Sequence, residues 1–262
     1  MRNFERDGKQ NKIGICLKVG EIKVFEELDA DYAELPFSEV SALSLEAFEE
    51  LRDYLICRKI ECPVMTQLLP KRARIVENDC AFHQYESFLK EGFLRIQKLN
   101  TKMIIFGNAG ARNCLDGNTE AAIRRLTKFC SETSELALKF GITICLEPLN
   151  RIQSNLINTL EEAIDVVKYV NMPNFGIVWD YFHYQVEKDD AKILEAHVDA
   201  LKHCHTADIL YRGIPQLKNQ KKLIEFLKSI EYKGKISLEF DKLPQAARCI
   251  NKAIFELKRS LE

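Results

Sequence analysis

The chain has 262 residues, 46% of them apolar, and its 38 lysine and arginine residues nearly balance 39 aspartate and glutamate residues, leaving a formal net charge of −1. This balance supplies no general attraction to nucleic-acid phosphates or acidic lipids, so no nucleic-acid partner is expected. Nine cysteines without C-x-x-C spacing argue against a disulfide framework or a zinc knuckle and favour the reducing cytoplasm.

The N-terminal segment MRNFERDGKQNK lacks the apolar centre of a signal peptide. No later stretch approaches the roughly 18 uninterrupted apolar residues of a membrane span. We therefore expect a cytoplasmic protein without membrane contact. We predict one domain over residues 1–262, with residues 1–11 as a flexible or extended N-terminus.

Short apolar or β-branched stretches alternate with helical patterns along the whole chain. The eight strand-like stretches lie at 13–17, 31–36, 62–66, 103–107, 142–147, 175–180, 201–206 and 235–240. The helical patterns lie at 43–58, 78–99, 118–140, 159–170 and 244–261, and residues 18–30 leave room for only a short first helix. Thr159 and Glu162 form a capping box, and Pro244 is placed to open the last helix. Such alternation predicts a parallel α/β sheet, and eight units permit closure into a single (β/α)8 TIM barrel.

An open doubly wound sheet is the competing architecture. Its dinucleotide-binding form requires G-x-G-x-x-G after the first strand, and CLKVGEIK does not supply it. The segment Gly107–Asn113, GNAGARN, carries two glycines and Arg112. It could approach an anion or form a plain tight turn.

An acid or a histidine stands where each of the last four strands ends. The segments LEPLNR, WDYFH, HCHTAD and LEF place there Glu147, Asp180, His205 and Glu239. In a parallel barrel the carboxyl ends of all strands meet on one face, so these side chains should converge. Three carboxylates and one imidazole suit one divalent ion, with Mn²⁺ favoured, Mg²⁺ or Co²⁺ suitable and Zn²⁺ also acceptable.

Other polar residues flank this predicted metal site. His183 lies over the mouth, where a neutral imidazole can reach a ligand hydroxyl, although a plain loop histidine fits the same position. His203 shares the direction of His205, so we expect it one layer lower, hydrogen-bonded inside the barrel. Arg212 follows in the loop and either binds a substrate oxygen or is solvated. Trp179 has the opposite parity and should pack outward.

The sequence also resembles a known superfamily. EPLNR followed by SNLINTLEEAIDVV, then WDYFH, HCHTAD and ISLEF, is similar to the sugar isomerase/epimerase superfamily with the xylose isomerase-like barrel, which includes ketose 3-epimerases, hydroxypyruvate isomerase and inosose-processing enzymes. The likeness covers almost the whole chain, including YAELPF and IIFGNAGARN. These motifs specify the superfamily rather than the substrate.

The resemblance implies roles for individual residues. The implied metal ligands are Glu147, Asp180, His205 and Glu239. Glu147 and Glu239 would also be catalytic, transferring protons, while His183 and Arg212 would bind substrate. One position departs from the ketose 3-epimerase pattern, because Gln153 stands six residues after Glu147 where that branch has a glutamate. An amide can bind a hydroxyl but cannot accept a proton, which weakens the narrower assignment.

We therefore expect a metal-dependent isomerase or epimerase that acts on a small keto sugar or keto-polyol by proton transfer through a metal-bound enediolate. The alternatives are a dehydratase of a cyclic keto-polyol, an abasic-site endonuclease and a barrel that binds sugar without turnover. The endonuclease would need further histidines at early strand ends, where Thr66 and Gln67 stand. The resemblance suggests a homodimer or homotetramer. Four residues of the mouth loops either form an apolar lid that excludes water or are ordinary loop packing, namely Phe37, Leu68, Phe182 and Tyr211.

Overall fold

The computed structural model describes residues 11–262, and its sheet is a closed barrel of eight parallel strands. The strands are β1 Ile13–Cys16, β2 Tyr32–Pro36, β3 Val64–Thr66, β4 Met103–Phe106, β5 Thr143–Leu146, β6 Phe175–Asp180, β7 Leu201–Thr206 and β8 Lys235–Leu238. Strands adjacent in sequence are paired, and β8 closes the barrel on β1, with Gly14 opposite Ser237. The predicted TIM barrel is confirmed, and every strand lies within two residues of its predicted bounds.

Within the described part of the chain, eight α-helices lie between or after the strands. They are α1 Phe37–Ala42, α2 Leu45–Arg58, α3 Ala81–Gln97, α4 Thr119–Leu138, α5 Leu160–Val170, α6 Tyr181–Glu187, α7 Lys221–Ser229 and α8 Ala247–Leu261. The capping box of α5 is present, because Thr159 Oγ1 accepts from Glu162 N at 3.2 Å and Glu162 Oε2 accepts from Thr159 N at 3.3 Å. The sequence patterns did not predict α1, α6 and α7, which have six, seven and nine residues.

The connection from β1 to β2 is a 3₁₀-helix, Val19–Glu27, rather than an α-helix. A 3₁₀-helix rises about 2.0 Å per residue, against about 1.5 Å in an α-helix. The nine residues of this segment therefore reach as far as about 12 α-helical residues would. This extra reach explains how so short a connection returns the chain to the start of β2.

The last helix begins later than the sequence predicted. Its first residue is Ala247, and Ala246, with φ −149° and ψ 58°, is not helical. Pro244 thus lies in the preceding loop and does not open α8. The physical reason is that this loop extends over the barrel mouth, where Phe240 and Leu243 line a cavity.

Alternating strand residues divide the core into two layers. Inside the barrel lies a small apolar group, Val64, Ile105, Cys145 and Val178. Outward-facing neighbours such as Trp179 join the larger core between strands and helices. Trp179 is 1% exposed, and its ring packs edge-on against Tyr181 and Phe226, which confirms its predicted outward orientation.

The predicted flexible or extended N-terminus, residues 1–11, lies outside the described residues except for Asn11. The Asn11 side chain donates to the backbone oxygens of Tyr232 at 3.0 Å and Gly234 at 2.8 Å, close to the entry of β8. Within residues 11–262, no helix combines the length and apolar character needed to cross a bilayer.

Candidate metal centre

Strand parity decides which side chains reach the barrel mouth. Cys145 and Val178 point into the barrel interior, and alternate residues of a strand face the same way. Glu147 and Asp180 lie two residues further along β5 and β6, so they stand one layer higher, at the rim. Both are nearly inaccessible to solvent, at 5% and 3% exposure.

His205 from β7 and Glu239 after β8 complete the group that the sequence predicted. One ligand atom from each member lies within 4.8 Å of those of the other three, the members being Glu147, Asp180, His205 and Glu239. His205 Nδ1 is 2.8 Å from Glu239 Oε2 and 3.6 Å from Glu147 Oε1. We call these four residues the acidic cluster. Four separate strands thus deliver its members to one point.

The two oxygens of Asp180 have separate tasks. Oδ1 accepts from the backbone N–H groups of Phe182 at 2.7 Å and His183 at 3.2 Å, so Asp180 is the N-cap of α6. Oδ2 remains directed at the acidic cluster, 3.7 Å from His183 Nε2. The cap fixes the orientation of the Asp180 carboxylate, so that only Oδ2 faces the mouth.

Arg212, a predicted substrate contact, lies against the acidic cluster. Its Nη2 contacts Asp180 Oδ2 and is 2.6 Å from Glu239 Oε2. Its backbone φ is 45°, and that of Tyr211 is 59°. Left-handed backbone costs a non-glycine residue about 1–2 kcal/mol, so the ion pairs offset a strained loop. The structure therefore brings Arg212 to the mouth rather than leaving it in solvent.

His183 is held with one nitrogen facing the cavity. Its Nδ1 accepts from Asn150 N at 3.2 Å and faces Asn150 Nδ2 at 2.8 Å. Two donors on Nδ1 place the proton on Nε2, which is buried without a hydrogen-bond partner among the described residues. Burial lowers the pKa of His183, which favours the neutral ring. His183 is thus prepared to donate from Nε2 to a ligand oxygen.

The glutamates of the acidic cluster have opposite pKa shifts. Burial and the charge of Glu239 raise the pKa of Glu147 to about 7. Burial also opposes ionisation of Glu239, but Arg212 and His205 outweigh it and lower the pKa of Glu239. For Asp180, burial is outweighed by Arg212 and His183, which hold its pKa well below the ordinary range. Near neutral pH, Glu147 can hold a proton while the other two carboxylates are charged.

A second carboxylate layer lies beneath the acidic cluster, and sequence reasoning missed its central residue. Glu34, on β2, is fully buried, with Oε2 3.1 Å from His205 Nε2 and Oε1 2.7 Å from His203 Nε2. Burial raises the pKa of a carboxyl, but the two histidines outweigh it and hold the pKa of Glu34 well below its usual range. His203 lies one layer below the rim, as predicted. The signal for Glu34 was a charged residue inside the apolar strand YAELP.

Two members of the acidic cluster, Glu147 and Glu239, line a cavity of about 280 Å³. The opposite wall is formed mainly by residues from the first four strand ends, Cys16, Leu17, Pro36, Thr66, Gln67 and Gly107. Gln153 and Asp241 also line the cavity. The volume lies just below the usual range for small-molecule pockets, about 300–1,000 Å³, so it suits one small ligand.

For Phe37 and Leu68 the structure selects ordinary packing over a lid. Both are fully buried, because Phe37 packs against the rings of Phe88 and Phe93 under α3. Tyr211 is 95% exposed at a loop tip. Phe182 stacks under the Arg212 guanidinium at 5.0 Å, so it supports the arginine.

The segment Gly107–Asn113 supports Glu147 from behind. A Cβ on Gly107 would overlap the Glu147 carboxylate. Arg112 is fully buried and donates from Nη2 to the backbone oxygen of Glu147 at 2.8 Å. Its guanidinium thus faces inward and braces the loop, which favours the structural reading of this segment over the anion-binding one.

The acidic cluster fits a divalent cation. Within residues 11–262, Glu147 Oε1 and His205 Nδ1 are buried without a well-formed hydrogen bond, although Nδ1 lies 2.8 Å from Glu239 Oε2. Buried polar atoms without partners are rare and require an explanation such as an ion. Three carboxylates with one imidazole are a donor set that hard and borderline divalent ions accept.

The fold and the site together define a class of protein. It is a parallel β/α barrel with a cluster of potential metal ligands at the mouth formed by the carboxyl ends of its strands. Comparison with protein families then places the chain within that class. The model described as "Xylose isomerase-like TIM barrel" matches residues 22–253. The chain belongs to the xylose isomerase-like TIM barrel family.

Curated relatives match shorter segments. D-psicose 3-epimerase of Ruminiclostridium cellulolyticum is 33% identical over 114 residues, which is 41% of this chain and 38% of that protein. The 3-dehydro-D-guloside 4-epimerase of Escherichia coli is 36% identical over 75 residues, 28% of this chain and 29% of that protein. Inosose isomerase of Bacillus velezensis is 33% identical over 78 residues, 26% of this chain and 28% of that protein. Each match thus spans less than half of the relative's length.

Solved structures extend the likeness over nearly the whole fold. D-psicose 3-epimerase from Clostridium cellulolyticum H10, solved with D-tagatose, superposes with a TM-score of 0.77 at 21% identity, covering 95% of each chain. The IolI protein, solved with a zinc atom, gives a TM-score of 0.70 at 18% identity over 95% of this chain and 96% of that one. At these identities the likeness establishes the barrel fold.

Proposed function

We propose that this protein is a divalent-metal-dependent sugar epimerase or isomerase that moves a proton on a carbon beside the carbonyl of a small keto sugar or keto-polyol. The observation that carries the proposal is the pairing of Glu147 with Glu239. These carboxylates have opposite pKa shifts and share one ligand set beside a small cavity. The matched relatives are named epimerases and isomerases, which supports the same class of reaction.

Four residues would hold the ion, namely Glu147, Asp180, His205 and Glu239. When bound, it would supply Lewis-acid polarisation of a carbonyl and a neighbouring hydroxyl. Manganese is our preferred ion because the donors are mostly hard oxygens. The zinc in the IolI structure makes zinc the first alternative to test.

The chain's own residues would carry the proton. Glu239 would take the proton from the carbon beside the carbonyl. Glu147, in its protonated form, would deliver a proton to the opposite face of that carbon in epimerisation, or to the neighbouring carbon in isomerisation. His183 Nε2 and the Arg212 guanidinium would donate hydrogen bonds to substrate oxygens and orient them.

The cavity supports a small substrate. At about 280 Å³ it suits one sugar unit. Gln153 lines it where a glutamate would provide a further base, so we leave open which carbon is rearranged. Asp241 adds negative charge to the same wall, which favours an unphosphorylated substrate.

We further propose that residues 1–262 form one barrel domain that acts in the cytoplasm as a homodimer or homotetramer. All nine cysteines are free thiols, which suits a reducing compartment.

The test is a panel of keto sugars, inososes and hydroxypyruvate, incubated with Mn²⁺-loaded protein in D₂O and followed by proton NMR. We expect one substrate to be rearranged with deuterium appearing at the reacting carbon. Product without exchange would replace proton transfer by a hydride shift. Loss of water from the product would identify a dehydratase instead. Bound metal without turnover of any member would favour a sugar-binding barrel.

A further inference from the structure

Glu34 is a buried carboxylate that the proposed reaction does not use directly. It points into the barrel from the middle of β2, one layer below the acidic cluster, and is fully buried. Burying a carboxylate is costly unless it is paired and hydrogen-bonded. Its surroundings therefore indicate what its charge does.

Each oxygen of Glu34 has two partners. Oε2 accepts from His205 Nε2 at 3.1 Å and from the Cys16 thiol at 3.6 Å. Oε1 accepts from the Ser237 hydroxyl and lies 2.7 Å from His203 Nε2. Ser237 is in turn 2.7 Å from the Tyr32 hydroxyl. Contacts from three other strands, β1, β7 and β8, thus hold the carboxylate in one orientation.

The contact with His205 has a consequence for the acidic cluster. When Nδ1 binds a cation, a hydrogen bond from Nε2 to Glu34 would keep the remaining ring proton on Nε2 and direct the Nδ1 lone pair at the ion. Nδ1 is the atom that faces Glu239 at 2.8 Å and Glu147 at 3.6 Å. Without Glu34, the ring could rotate or carry its proton on the nitrogen that faces the cluster.

We propose that Glu34 is a positioning residue that fixes the ring orientation and tautomer of His205 and thereby sets the affinity of the acidic cluster for its cation. This inference rests on the proposed function, since it assumes that the cluster binds a metal. A carboxylate behind a ligating histidine also makes its free nitrogen a stronger donor.

Cobalt binding tests the proposal without relying on turnover. Metal-free wild type, Glu34→Gln and Glu34→Leu would be titrated with Co²⁺ while the visible absorption is recorded. Loss of such a partner typically weakens metal binding about 10–100-fold, and we expect this for Glu34→Leu, with an altered visible spectrum. Glu34→Gln keeps an acceptor oxygen, so its loss should be smaller.

Ser237→Ala is the matched control. It removes a partner of Oε1 and leaves the Oε2 contact with His205 in place. We expect its Co²⁺ affinity to stay within about threefold of wild type, even if thermal unfolding shows that it destabilises the metal-free protein. Equal losses in Ser237→Ala and Glu34→Gln would reduce Glu34 to a packing role and overturn the proposal.

The remaining outcomes separate this inference from the proposed function. Wild type that binds no Co²⁺, Mn²⁺ or Zn²⁺ would remove the metal site itself. Wild type that binds Co²⁺, with both Glu34 variants folded and binding equally well, would reject Glu34 alone. If Glu34→Leu fails to fold, Glu34→Gln still decides, because it is nearly isosteric.

Discussion

The two halves of the barrel contribute differently to the mouth. At the ends of β5 to β8 stand the members of the acidic cluster, Glu147, Asp180, His205 and Glu239. The residues that directly follow β1 to β4 are uncharged, being Leu17, Phe37, Gln67 and Gly107. The strand ends therefore supply ionisable groups on one side of the mouth and an uncharged wall on the other.

This difference teaches that the half with the uncharged rim, β1 to β4, which we call the uncharged half, sets how the charged half, β5 to β8, is arranged. Gly107 leaves the space that the Glu147 carboxylate occupies, and Glu34 of β2 holds the ring of His205 from below. A charged cluster this dense depends on small and buried neighbours across the barrel. Changes in both halves should therefore affect function, but by different amounts and for different reasons.

The largest effect should come from the charged half. Glu147→Gln and Glu239→Gln remove a proton-transfer group and a metal ligand while keeping side-chain size. We expect kcat to fall by roughly 10²–10⁴-fold, the usual contribution of general acid–base catalysis, as measured by NMR in D₂O. Glu161→Gln, at an exposed position in the first turn of α5, is the matched control and should retain wild-type rates. Near-normal turnover in either cluster variant would reject its proton-transfer role.

The next effect should come from the uncharged half. Gly107→Ala adds a Cβ that overlaps the Glu147 carboxylate, and misplacing a reacting group by about 1 Å can cost about 100-fold in rate. Gly20→Ala adds a Cβ with no atom within 4 Å and should change kcat little. If the two alanine variants have equal rates, the uncharged half does not shape the cluster.

The pH dependence of metal affinity tests whether Glu147 is a metal ligand. Its pKa is raised to about 7, so below that pH a proton competes with the cation for its oxygens. Burial opposes a charge on His205, but Glu239 outweighs it and raises the pKa of His205 as well. Apparent Co²⁺ affinity should thus fall about tenfold or more per pH unit below pH 7, measured by titration calorimetry. Glu147→Gln should show a shallower slope, and an unchanged slope would contradict the assignment.

The smallest effect should come from Asn150→Leu. This change removes the side-chain donor on His183 Nδ1 and leaves only the backbone N–H at this position to hold the ring. One hydrogen bond is worth about 0.5–1.5 kcal/mol, so KM should rise about three- to tenfold with kcat less affected. Steady-state kinetics with the substrate found in the panel would measure it. A fall in kcat with unchanged KM would assign His183 a role in the chemical step instead.

The sequence by itself determined the barrel and its charged side. Eight alternating strand and helix patterns predicted the fold, because hydrophobic period is local in sequence. Acids and a histidine at four strand ends predicted which side chains converge, because a closed parallel barrel brings all such ends to one face. Boundaries within loops were less accurate, as the start of α8 at Ala247 instead of Pro244 illustrates.

Only the tertiary structure decided how these residues are supported. It buried Phe37 and Leu68, turned Arg112 behind Glu147, and set Glu34 beneath His205. It also raised the pKa of Glu147 and lowered that of Glu239. Each of these outcomes depends on burial and on charges contributed by distant segments, and desolvation and Coulomb energies are set by distances in space, which local sequence patterns do not encode.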